Sequence, residues 1–190
     1  TSIDLTINDD DKIGLIGVNG SGKSTLLKII AGAIEPEGGV ITKGKELRSA
    51  YLPQNPDFDE NLSVMDQAVR YLETISPHFE FYQCQSMLTK LGIADFDQKM
   101  GELSGGQRKR VAMAAVLTAE SNLLILDEPT NHMDNDIIIW LEEFLIGYRG
   151  AIFMITHDRY FLDRVTGRIA EIDGGKLYSY DGNYDYYLET

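Results

Sequence analysis

The sequence predicts an α/β domain built on a mostly parallel sheet, and three observations predict it. Short apolar runs alternate with longer stretches of helical period along the 190 residues, the order expected when each parallel strand returns through a crossover helix. The run Leu123-Leu124-Ile125-Leu126 is apolar at every position, as a strand covered on both faces must be. A glycine-rich stretch from Gly17 to Gly22 stands between an apolar run and a helical segment, the strand–loop–helix order of a phosphate-binding turn.

From the N-terminus, Ile3, Leu5 and Ile7 alternate with polar residues as a strand would, and their abrupt start suggests a piece of a longer chain. Lys12–Ile16 reads as the first core strand and Ser24–Ile34 as the helix after the glycine loop. Pro36, Gly38 and Gly39 mark a turn over Glu35–Gly39, with strands expected near Val40–Thr42 and over Leu47–Leu52. Ser63 offers an N-cap hydroxyl to a helix over Val64–Leu72, and Pro77 suits the first turn of another reaching Leu91. A helix over Gln107–Ala119, the strand Leu123–Leu126, a helix over Asn135–Tyr148 and a strand over Ala151–Ile155 follow. Ile169–Ile172 and Lys176–Tyr180 flank Gly174-Gly175, a hairpin signal.

Composition narrows the function classes. With 43% apolar, 25% charged and 9% aromatic residues, the chain suits one compact soluble domain. A net charge of −13 opposes phosphate backbones, so nucleic-acid contact would need a local patch or other parts of a larger protein. The single cysteine, Cys84, allows no intrachain disulfide and fits a semi-buried helix position in a reducing compartment. No apolar run approaches the ~18–20 residues that span a bilayer. No basic stretch leads into an apolar core at the N-terminus. A cytoplasmic protein without a membrane segment is the expectation.

The chemistry collects where three strands end, at the edge of an open parallel sheet that binds ligands. Lys12–Ile16 runs into Gly17-Val18-Asn19-Gly20-Ser21-Gly22-Lys23-Ser24-Thr25. Glycines at these positions let backbone N–H groups turn around a β-phosphate, and the following helix adds its positive end. Lys23 reaches the β- and γ-phosphates, and Ser24 offers a hydroxyl to Mg²⁺. Leu123–Leu126 runs into Asp127-Glu128. One carboxylate can hold the Mg²⁺ shell while its neighbour, turned the other way by the pleat, takes a proton from water. The bland alternative is a pair of solvated acids. Ala151–Ile155 runs into Thr156-His157, where His157 could donate to a γ-phosphate or serve as a satisfied core residue.

Gln54, in Leu52-Pro53-Gln54, is suggestive by position alone: its amide could touch Mg²⁺ or the attacking water, or be ordinary loop surface. Leu103-Ser104-Gly105-Gly106-Gln107 reads as a second anion site, a helix capped by Ser104 with its first N–H groups exposed by glycines. A capped helix start with glycines for close packing is equally sound.

Together, Gly17–Thr25, Gln54, Leu103–Gln107, Leu123–Glu128 and His157 resemble, in this order, the ATP-binding cassette (ABC) ATPases, over almost the whole chain. The resemblance implies a P-loop NTPase fold of ABC type, with a mostly parallel core, an antiparallel β portion and a helical signature subdomain. It implies one domain over 1–190, truncated at its N-terminus, with 1–56 and 120–190 as the ATP-binding core and about 57–119 as the helical part. ATP and Mg²⁺ are the implied ligands, with Glu128, His157 and Gln54 as catalytic groups and Ser24, Gln54 and Asp127 on the metal. Ser104, Gly105, Gly106 and Gln107 would complete the site of a partner cassette, two cassettes facing head to tail.

Asp127-Glu128-Pro129-Thr130-Asn131-His132-Met133-Asp134, Trp140-Leu141-Glu142, His157–Asp163 and Gly182-Asn183-Tyr184 look like the F-type proteins, and the Trp140-Leu141-Glu142 helix is similar to the first cassette of their pair. Those carry two cassettes and no membrane domain, and they act on ribosomes in translation or in antibiotic resistance. Transporter cassettes usually have Ser-Ala-Leu-Asp where Asn131-His132-Met133-Asp134 stands, and a transporter's ATPase subunit is the runner-up. The chain departs from the family at Met133, where leucine is usual. It leaves little room between Gln54 and Leu103 for a long two-helix arm, and residues 1–16 hold no aromatic to stack on adenine.

Overall fold

The computed structural model describes residues 3–189. A six-stranded sheet organises the chain: β1 (Lys12–Gly17), β2 (Ser49–Leu52), β3 (Leu123–Asp127), β4 (Ala151–Ile155), β5 (Arg168–Asp173) and β6 (Lys176–Asp181), in the order β2-β3-β4-β1-β5-β6. All neighbours pair parallel except β5 and β6. Those two form the antiparallel hairpin, turned at Gly174 (φ 55°) and Gly175 (φ 77°), the two positive φ values a tight hairpin turn needs. The fold is the expected P-loop NTPase arrangement of ABC type, and its antiparallel β portion is this hairpin.

Strand periodicity divides the apolar residues between the two faces. Leu124, Leu126, Ile152 and Met154 join one buried cluster, while Leu123, Ile125, Ala151, Phe153 and Ile155 join the other. Helix α1 (Lys23–Ala31) supplies Leu27 to the smaller cluster. The larger one is covered by α2 (Val64–Ile75), α3 (Phe81–Lys90), α4 (Gly105–Thr118), α5 (Asn135–Gly147) and α6 (Arg159–Val165). Helix α4 packs on both α2 and α3 and is buried continuously from Val111 to Leu117. Helix α7 (Tyr184–Glu189) closes the described chain, with Tyr184 buried against the larger cluster.

Several boundaries differ from the sequence reading. Helix α1 stops at Ala31, not Ile34, because Gly32 adopts φ 77° and its N–H and that of Ala33 close on Ile29 and Lys28 carbonyls, the usual glycine C-cap. No strand forms over Val40–Thr42, where Val40 is 91% exposed, and β2 starts at Ser49 rather than Leu47. Ile3–Ile7 forms no strand either, although its burial alternates and Leu5 and Ile7 lie against the smaller core cluster. Helix α3 begins at Phe81, beyond Pro77. Helix α6 went unassigned from sequence, yet it has a clear cap: Asp158 Oδ1 accepts from the Phe161 N–H at 3.0 Å. Cys84 is fully buried, and burial pushes its thiol up to about 11.

Candidate active site

In the strand order, β4 lies between β3 and β1. The loops leaving β1 and β3 therefore stand two strand spacings apart, about 10 Å, with the end of β4 between them. A cavity of about 310 Å³ opens there, lined by Asn19, Gly20, Gly22, Lys23, Ser24, Thr25, Gln54, Asp127, Glu128, Ile155 and His157. The structure thus brings the glycine loop, the acidic pair, the glutamine and the histidine to one place. Ser104, Gly105, Gly106 and Gln107 do not line it. A larger hollow, about 570 Å³, lies between residues 57–61 and α2 and contains none of these groups.

The cradle is set by backbone shape. Gly17 approaches so closely that a Cβ there would sit 2.8 Å from the Ile172 carbonyl oxygen and 2.8 Å from Ser21 Oγ. Gly22 caps α1 at φ 100° with no side-chain hydrogen bond, leaving the first N–H groups of the helix directed at the cavity. Lys23 is only 9% exposed, and its ammonium donates to the Gly17 carbonyl at 2.6 Å and the Val18 carbonyl at 3.1 Å. Val18 forms the exposed tip of the loop, and Ser21 Oγ is buried with no hydrogen-bond partner among the described residues.

Opposite stand two buried carboxylates. Burial pushes Asp127 above its ordinary value, against the pull of a hydrogen bond from the Ser24 hydroxyl and the charges of Lys109, Lys28 and Lys23. Ser24 and Asp127 thus already share one edge of the cavity, a hydroxyl and a carboxylate of the kind Mg²⁺ takes beside substrate phosphates. Glu128 is also raised, first by burial, and His157 opposes the shift. Its carboxylate is pinned from one side: His157 Nε2 lies 3.0 Å from Oε1, and the His157 N–H donates to Oε2 at 3.4 Å. Pleat alternation is not what turns Glu128 away from Asp127. Glu128 takes a left-handed backbone (φ 52°) just past the strand, with its N–H donating to the Ile155 carbonyl at 2.8 Å.

The second glycine loop is built differently. Ser104 Oγ accepts from the Gln107 N–H at 3.2 Å, and Gln107 Oε1 accepts from the Ser104 N–H at 2.9 Å, a reciprocal capping box. The helix starts at Gly105, earlier than the expected Gln107. An added Cβ at Gly106 would lie 3.1 Å from both the Cβ and the carbonyl oxygen of His132, while Gly105 has open space.

One contributor escaped the sequence reading. Lys109, the middle residue of the run Arg108-Lys109-Arg110, is 5% exposed and donates to the carbonyls of Asp127 (2.8 Å) and Gln54 (3.3 Å). Burial lowers its pKa to about 8, against the charges of Asp127 and Glu128. The signal was its helical spacing from Ala112, Met113 and Val116, which are all buried.

The profile of the ABC transporter family matches residues 1–131. An uncharacterized ABC transporter ATP-binding protein of Bacillus subtilis, YfmR, is 39% identical over 98% of this chain and 36% of that protein. The energy-dependent translational throttle protein EttA of Escherichia coli K12 is 34% identical over 99% of this chain and 41% of that protein. The chain therefore spans well under half the length of these relatives. Both alignments run over more positions, 224 and 226, than the 190 residues here, so the relatives carry insertions relative to this chain. A chain in the solved complex of an archaeal ribosomal stalk protein, aP1, with the archaeal ribosome recycling factor aABCE1 superposes with a TM-score of 0.73. It is 29% identical, over 90% of this chain and 34% of that one. The fold, the cradle and these matches agree: the chain belongs to the ATP-binding cassette family, whose chemistry is the binding and hydrolysis of ATP.

Proposed function

We propose that this cassette hydrolyses Mg·ATP with Glu128 as the base, and that it does so within a cytoplasmic F-type protein acting on the ribosome. The observation that carries the first half is the buried Glu128 carboxylate held against His157 at the rim of the phosphate cradle. The backbone N–H groups of Gly17–Thr25 and the Lys23 ammonium hold the β- and γ-phosphates. Ser24 and Asp127 hold Mg²⁺, with Gln54 at its edge; when bound, the ion neutralises charge on the phosphates. Glu128 takes a proton from the attacking water as the water oxygen bonds to the γ-phosphorus and the bond to the β-phosphate oxygen breaks. His157 steadies Glu128 and faces the γ-phosphate. A carboxyl raised by burial is the better base near neutral pH.

In this reading 1–56 and 120–190 form the ATP-binding core, and about 57–119 is the helical part that presents Ser104, Gly105, Gly106 and Gln107 to a partner cassette's ATP. The likeness to EttA, a translational throttle protein, and to the ribosome recycling factor solved with a ribosomal stalk protein supports a ribosomal target, in translation or in antibiotic resistance. The likeness to YfmR, described as an ABC transporter ATP-binding protein, favours the alternative, a transporter's ATP-binding subunit. Among the described residues no helix is long and apolar enough to cross a membrane.

Glu128→Gln keeps the shape and removes the base, so hydrolysis should fall about 10²–10⁴-fold while Mg·ATP stays bound. A wild-type rate refutes the assignment. In the complete protein, that change at every cassette should give an ATP-dependent complex that co-sediments with ribosomes. Partition with membranes instead selects the transporter reading.

A further inference from the structure

The three basic residues that follow the second glycine loop all donate to backbone carbonyls, Lys109 buried and the two arginines half-buried, and they serve different parts of the molecule. Arg108 donates to the carbonyls of Met100 (3.1 Å) and Gly101 (3.0 Å), and its guanidinium lies 4.3 Å from the centre of the Phe58 ring. Arg110 donates to the Leu91 carbonyl at 3.1 Å. Both tie α4 to the helical layer around it. Lys109 alone crosses to the catalytic edge of the sheet, where its ammonium meets the carbonyls of Asp127 and Gln54.

The Asp127 carbonyl belongs to the peptide unit whose N–H is that of Glu128. That N–H donates to the Ile155 carbonyl at 2.8 Å, and the carbonyl at the other end of the same unit receives Lys109 Nζ at 2.8 Å. One peptide plane is therefore gripped at both ends, by a strand on one side and by α4 on the other. The orientation of this plane defines φ of Glu128, which is 52°, a region that a non-glycine residue keeps only when its surroundings over-determine it. Lys109 makes no close ion pair among the described residues, so its buried ammonium is satisfied by these carbonyls rather than by a carboxylate. An apolar side chain would fill the site without burying a charge. Holding this peptide plane is what the ammonium adds.

We propose that Lys109 is a positioning residue for hydrolysis, holding the Asp127–Glu128 peptide so that the left-handed Glu128 backbone aims its carboxylate at the attacking water. The proposal rests on the reading of Glu128 as the base. It also joins the two glycine loops within one chain. Lys109 lies one helical turn beyond Ser104, and Gly106 packs against His132 (φ 60°) in the loop after β3.

The test is a double-mutant cycle on the complete protein, read by single-turnover hydrolysis, Mg·ATP affinity and thermal midpoint. Lys109→Met, which matches the length and removes the donors, should lower the hydrolysis rate about 10–100-fold, the loss expected from a small misplacement of a catalytic group. ATP affinity should stay within about threefold. Lys109→Arg, which keeps a cation and donors, should recover most of the rate. In a Glu128→Gln background, Lys109→Met should cost little more, because both changes remove the same effect. Should Lys109→Met fail to fold, Lys109→Leu, which also lacks donors, carries the same cycle. A wild-type rate for Lys109→Met, or a loss that multiplies with that of Glu128→Gln, overturns the role of Lys109 and leaves the base standing. A wild-type rate for Glu128→Gln overturns the base and this proposal with it.

Discussion

The chain contains two glycine-rich helix starts that look alike on paper and are opposites in space. At α1 the cap is Gly22, with no side chain to satisfy the helix N–H groups, a buried Ser21 hydroxyl without a partner among the described residues and a lysine lying across its own loop carbonyls. At α4 the cap is Ser104, locked to Gln107 by two reciprocal hydrogen bonds. The first start leaves its polar groups for a ligand, and the buried acids opposite it sit above their ordinary values because burial disfavours their charge. The second satisfies itself. Glycine in a loop thus marks flexibility of backbone, and the capping residue decides whether that backbone is held open or closed.

The comparison predicts opposite consequences for removing groups on the two sides. The largest effect is on binding. Lys23→Ala removes a charge-assisted contact of about 1.5–3 kcal/mol, so Mg·ATP affinity measured by calorimetry should weaken roughly 10–100-fold. Ser104→Ala should leave the affinity of a single chain within about twofold and instead cost stability, about 1 kcal/mol for the lost cap, or about 2–4 °C in melting temperature. An affinity loss for Ser104→Ala in a single chain would erase the distinction between the two loops.

Next come the two glycines of the second loop. Gly106→Ala brings a Cβ to a tight 3.1 Å from both the Cβ and the carbonyl oxygen of His132 and should cost about 1 kcal/mol, the low end of overpacking. Gly105→Ala meets nothing and should be neutral or stabilising by about 0.4–1 kcal/mol. Melting curves of the two variants compare them directly. Equal losses would mean that the loop is strained by something other than the His132 contact.

The smallest effect has the opposite sign. Glu128 is raised in the folded chain above its ordinary 4.5, so the stability linked to it is present below pH 4.5 and is lost as pH rises through the folded value. At pH 7 the buried charge is therefore a cost, and ligand-free Glu128→Gln should melt higher by roughly 1–4 °C, about 0.5–1 kcal/mol. The gain should shrink toward pH 4.5. A lower melting point at pH 7 would show that the His157 contact outweighs burial.

Much of this was legible in the sequence. The core strands were marked by apolar runs with sharp ends, as at Leu123–Leu126, and the cavity residues by their place just beyond those ends. Tertiary context decided the rest. Val40–Thr42 has strand-like residues and no strand beside it, and helix propensity after Ala31 yields to the left-handed Gly32. The direction of Glu128 depends on a φ that no side-chain pattern encodes. Lys109 is in sequence one of three basic residues along a helix near the site, and only the packing of α4 shows where its ammonium goes.

The placement of Arg108, Lys109 and Arg110 also governs how this domain meets a polyanion. With Lys109 buried and Arg108 and Arg110 half-buried, each donating to backbone carbonyls, the densest run of positive charge is only partly exposed on a chain whose net charge is −13. Approach of the domain alone to RNA is then an encounter of like charges, and added salt should ease it rather than weaken it, the reverse of the counterion-release slope of a basic binder. Wherever a larger protein carries this cassette onto nucleic acid, the attraction resides in other segments, and the cassette rides against the field.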